Sequence, residues 1–108
     1  MDKFAGLRFV NAAELAEISG RGGRVVVAFV ATWNRRCQSF AADYLKFAAT
    51  RDVGVAVVCV DVDECTALTA AFDVCAIPTI LVLRDGSEEV REVGLNLAAV
   101  GAHLKVES

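Results

Sequence analysis

The run RVVVAFVAT at residues 24–32 is apolar at odd and even positions alike and rich in β-branched residues, and a second such run, GVAVVCVDVD, occupies residues 54–63. A strand with one wet face alternates between apolar and polar. A strand that is apolar on both parities is covered on both faces, as in a parallel or mixed sheet. Between the two runs, Cys37, Phe40, Ala41, Tyr44, Leu45, Phe47 and Ala48 recur at helical spacing. They predict an amphipathic helix from Asn34 to Thr50, about four turns long. The chain is therefore built around a βαβ unit, whose strands need helices on both sides of the sheet.

The flanking segments extend this unit. Asn11 followed three residues later by Glu14 is a capping signature for a helix running to Ser19, and SGRGGR then breaks it. Asp63 reads as the cap of a further helix ending at Ala71 or Phe72. TILVLRDGSEEVREVG reads as two strands joined at Asp85-Gly86, a hairpin turn signal, and Leu97 to Lys105 as a final helix with apolar positions at 97, 100 and 104. The whole is one α/β domain over residues 1–108.

Composition narrows the function classes. With 56% hydrophobic residues, a net charge of -3 and eleven scattered basic residues, the chain has no field to attract nucleic acid. No segment reaches the roughly 20 apolar residues of a membrane span, and the N-terminus lacks the apolar run of a signal peptide, so a cytoplasmic setting is expected. In that setting the four cysteines, at 37, 59, 65 and 75, are expected to be reduced thiols. None stands in the C-x2-C spacing of a zinc site, and neither a metal nor another cofactor is called for.

The segments VVVAFVATW, VDVDE, AIPTILVLRDG and VGLNLAAV, in this order and spacing, resemble the thioredoxin family from about Val25 to the C-terminus. The resemblance implies a thioredoxin-like fold, a central mixed sheet flanked by helices. It also implies a groove with Trp33 on one rim, facing a lip made by Ile77 and a cis-Pro78. The family motif is Trp-Cys-Gly-Pro-Cys at a helix start. Here Asn34 stands at the attacking cysteine, Arg35 and Arg36 at Gly-Pro, and only Cys37 remains, at the resolving position. The family's buried Asp in the preceding strand corresponds to Ala28, and a mid-helix proline to Ala42. Disulfide exchange needs an attacking thiolate and a second thiol to resolve the mixed disulfide, which this pattern lacks.

Two uses of the site follow. In the first, Asn34 caps the helix, and Trp33, Asn34, Arg35, Arg36, Ile77 and Pro78 bind a protein or peptide partner, an anionic one being favoured by the two arginines. An extended segment would pair with backbone beside the proline, as in strand addition. In the second, the helix start and the arginines lower the pKa of Cys37, which then works as a monothiol with another thiol or glutathione. Cys75 and Cys65 are the candidate redox-active neighbours, Cys65 because it would sit inside the start of a helix, whereas Cys59 is expected in the core. Enzymatic activity is left open, with a conventional disulfide reductase disfavoured.

Overall fold

The computed structural model describes residues 2–51, 54–94 and 96–107, without the side chains of 105–107. Helix α1 (Ala12–Gly20) precedes strand β1 (Arg24–Val30), helix α2 (Arg35–Ala49) and strand β2 (Val55–Asp61). Helix α3 (Thr66–Ala71), strands β3 (Thr79–Arg84) and β4 (Ser87–Val93), and helix α4 (Leu97–Glu107) follow. The expected order of elements is realised, with ends displaced by one or two residues.

The sheet runs β2-β1-β3-β4, with β1 parallel to β2 and antiparallel to β3, and β3 antiparallel to β4. All seven residues of β1 are buried, as its two-parity apolar pattern requires. Its side chains divide between two cores. Val26, Ala28 and Val30 face Cys37, Phe40, Tyr44, Val100 and Leu104, from α2 and α4. Val25, Val27 and Phe29 face Leu15 and Ile18 from α1, with Leu68 and Phe72 from the α3 side. Each fully buried Val or Phe contributes about 1.5–3 kcal/mol, so the strand at the centre anchors both layers.

Local signals set the joints. Asn11 and Glu14 form a reciprocal capping box at α1, with Asn11 Oδ1 accepting from the Glu14 N–H at 2.8 Å and Glu14 Oε1 from the Asn11 N–H at 3.0 Å. Asp85 and Gly86 both have positive φ, 51° and 84°, the pattern of a two-residue hairpin turn whose twist matches its strands. At the opposite end of the helical layer, Leu45 does not follow the apolar pattern of α2 inward; it is 39% exposed and lies beside Gly6.

The outer side of β2 is covered by the chain near Phe9, where Cys59 N–H donates to the Arg8 carbonyl at 2.8 Å and Val10 N–H to the Cys59 carbonyl at 2.9 Å. β4 forms the other edge, with exposed Ser87, Glu88, Glu89, Arg91 and Val93. Glu89 gathers three partners there: the guanidinium groups of Arg84 at 2.6 Å and Arg24 at 3.2 Å, and the His103 ring at 3.3 Å. Arg24 also donates to the Leu104 carbonyl at 3.2 Å, tying the start of β1 to α4.

Candidate functional site

β1 ends at Val30 and the chain turns through Thr32 and Trp33 into α2. Asn34 is extended, with φ -83° and ψ 128°, and its Oδ1 accepts the Cys37 N–H at 3.1 Å. The cap expected from sequence is in place. Gln38 reinforces the same turn by donating from Nε2 to the Thr32 carbonyl at 2.9 Å, a contact for which the sequence carried no signal.

The cap places Arg35 and Arg36 on the exposed first turn and swings Cys37 inward, where it is 0% exposed in one layer with Ala28, Phe40 and Cys59. Burial pushes the Cys37 thiol up, and a backbone hydrogen bond at Ala31 and the Arg36 charge only partly pull it back. The expectation that the arginines activate this thiol is therefore corrected: desolvation outweighs them. Cys59, as expected, is core, with its thiol pushed up to about 12, first by burial and then by Cys37.

Trp33 is 67% exposed, and its indole Nε1–H donates to Asp63 Oδ2 at 2.7 Å. That bond corrects a second expectation. Asp63 does not cap α3, because its carboxylate is turned to the indole; α3 begins on Cys65, with no side-chain hydrogen bond to its first turn. Asp61 orders the intervening loop instead, its Oδ1 accepting from the Asp63 N–H at 2.9 Å and the Glu64 N–H at 3.4 Å. Cys65 accordingly lies at the cap position and not inside the helix. Burial first, then Asp61, Glu64 and Glu14, push its thiol up, so the helix start does not activate it.

The facing loop runs from Asp73 to Pro78. The Ile77–Pro78 peptide bond is cis. Ile77 is half-buried and Pro78 is buried. The loop's outer surface comes from Cys75 and Ala76, both exposed. Pro78 lies inward because its carbonyl accepts the Gly94 N–H at 2.8 Å, and Thr79 Oγ1 donates to the Ala76 carbonyl beneath the turn. Arg91 of β4 holds the loop's base by donating to the Phe72 and Asp73 carbonyls, while Glu88 grips the same guanidinium at 2.9 Å. This clasp joins residues 18 and 19 positions apart, so spacing along the chain gave no sign of it.

All four cysteines are free thiols, Cys75 being exposed and Cys37 buried. Among the described residues no group of three or more His, Cys, Asp or Glu is placed to hold a metal ion, and no helix is long and apolar enough to cross a membrane. The arrangement is thus a capped helix start with two solvent-facing cations, an exposed tethered indole, and a buried thiol beneath them.

Comparison with known proteins agrees with this fold. The profile of the Thioredoxin family matches residues 9–104. The thioredoxin of Echinococcus granulosus is 35% identical over 85 residues, covering 78% of this chain and 78% of that protein. Protein disulfide-isomerase A4 of Bos taurus is 34% identical over 86 residues, which is 77% of this chain but 13% of that much longer protein. Among solved structures, Fasciola hepatica thioredoxin superposes with a TM-score of 0.84 at 28% identity, covering 94% of this chain and all (100%) of that one. The chain belongs to the thioredoxin family.

Proposed function

We propose that this protein is a thioredoxin-fold binding module whose groove takes an extended protein or peptide segment without dithiol exchange. Trp33, Asn34, Arg35 and Arg36 form one side of that groove, and Ile77 over the buried Pro78 forms the other, with Ala76 and Cys75 at its surface. Relatives named thioredoxin make thiol redox work the family setting. The observation that carries the departure from it is the state of Cys37: fully buried behind the Asn34 cap, with its thiol pushed up by desolvation. A neutral, enclosed thiol is a poor nucleophile, and Asn34 supplies none. The exposed Trp33 and the two arginines remain available for recognition, and their charge favours an acidic segment.

The competing use, a monothiol cycle at Cys37 with a protein thiol or glutathione, is separated by alkylation of the reduced, folded chain as a function of pH, read by mass spectrometry. Cys37 is expected to react at least about a hundredfold more slowly than exposed Cys75, the factor set by an opening free energy of roughly 3 kcal/mol. Dithiothreitol-driven reduction of a protein disulfide should run no faster with the chain than without it. Reaction of Cys37 in the native state with an apparent pKa well below about 8.5 would overturn the binding-module reading in favour of the monothiol.

A further inference from the structure

Beside the Trp33–Asp63 pair lies a cleft of about 310 Å³ whose walls are almost wholly apolar. Phe9 and Val10, where the N-terminal segment docks on β2, line it together with Thr32 and Cys65. Its size is that of a small ligand site. The cleft adjoins the groove at Trp33, since Thr32 is the indole's chain neighbour and Asp61 and Glu64 bracket the indole's partner Asp63.

The rim is acidic. Asp61 and Glu64 line the cleft itself, and Glu14 stands nearby in the capping box whose other member, Asn11, lines it too. No lysine or arginine is among its lining residues. The carboxylate of Asp61 is fixed by the backbone N–H groups of Asp63 and Glu64, while the Glu64 side chain is exposed. An apolar cavity with carboxylates at its mouth complements a group that is apolar at its tip and cationic beside it. The thiol of Cys65 serves as wall: its Sγ lies 3.9 Å from the Val10 carbonyl, to which it donates, and burial first, then the surrounding carboxylates, push its pKa up.

We infer that this cleft is a second recognition site, which takes an apolar side chain flanked by lysine or arginine in a partner polypeptide. The inference does not rest on the groove reading, because the two surfaces use different residues and opposite charge: arginines at the start of α2, carboxylates here.

The test is titration of the full, isotopically labelled chain with three blocked tripeptides, Lys-Leu-Lys, Glu-Leu-Glu and Lys-Ser-Lys, followed through its backbone amide resonances. Lys-Leu-Lys is expected to move the amides of Phe9, Val10, Thr32, Glu64 and Cys65. Replacing leucine by serine should weaken binding about tenfold or more, as loss of a buried leucine side chain does. The acidic peptide should bind more weakly than the basic one by a margin that shrinks with added salt. Glu64→Lys, on an exposed side chain, should weaken Lys-Leu-Lys about threefold while leaving the fold intact. Equal binding of all three peptides, shifts confined to Arg35, Arg36 and Ile77, or no shifts at all would each overturn the site. The second of these outcomes would leave the groove reading standing.

Discussion

Helices α2 and α3 both begin within reach of Trp33, and they begin differently. α2 has fifteen residues, an Asn34 side-chain cap and a cysteine turned into the core three positions on. α3 has six residues, no side-chain cap and a cysteine at the cap position itself. Asp63 was as good a cap by residue type as Asn34. What separates them is a competing donor: the indole N–H lies 2.7 Å from the Asp63 carboxylate, and nothing comparable draws Asn34 away from its own helix. The shorter helix is left uncapped, and the tryptophan is held at the surface in return.

The contrast can be broken from several directions. The largest effect concerns the buried layer that α2 closes over. Burial pushes the Cys59 thiol up to about 12 and raises Cys37 as well, whereas an unfolded thiol titrates near 8.5, so the unfolded chain releases these protons first. Stability is therefore full below about pH 8.5 and falls as pH rises toward about 12, with a loss on the order of 2 kcal/mol at pH 10 from Cys59. Urea unfolding at pH 7 and pH 10 measures it. Cys59→Ala should flatten the slope whatever it does at neutral pH, and Cys65→Ala, at a half-buried thiol raised in the same direction, should flatten it less; equal slopes in both would deny that the buried layer dominates.

Next, Asn34→Ala should cost about 0.5–2 kcal/mol and Asn34→Ser much less, since serine keeps a capping oxygen. Equal losses would mean that the side chain packs and does not cap. Asp63→Ala is expected to cost less than about 1 kcal/mol, as for an exposed charged group, while freeing the indole. Faster decay of Trp33 fluorescence anisotropy with unchanged amide protection at Thr66 to Leu68 is the predicted signature; lost protection there would restore Asp63 as a cap. Smallest of all, replacing Arg35 and Arg36 together by Gln should leave stability unchanged or raise it by some tenths of a kcal/mol, because cations in a first turn oppose the helix dipole. A clear loss would assign the arginines a structural role.

Much of this was legible in the chain. The two-parity run of β1 specified a covered central strand, and Asn11 with Glu14 and Asp85 with Gly86 announced a helix start and a turn, since each signal acts between near neighbours. The misreadings involve distant partners. Asp63 was misjudged because its competing donor is thirty residues away in sequence. The burial of Pro78 depends on a bond from Gly94, and the loop's anchor on Arg91. The fate of Cys37 was undecidable from sequence, because first-turn cations and burial push a thiol in opposite directions and only depth decides which prevails.

The charged edge formed by β4 has a consequence of its own. An edge strand with unpaired backbone groups is a template on which another chain can polymerise, strand upon strand. Ser87, Glu88, Glu89 and Arg91 make that template inhospitable, since a docking strand would have to desolvate carboxylates already engaged with arginine on their own side. At the far edge, the segment at Phe9 already occupies the pairing position beside β2. A chain this rich in β-branched apolar runs thus keeps its most adhesive sequences, β1 and β3, in the interior of the sheet and offers would-be fibrils only its most highly charged strand.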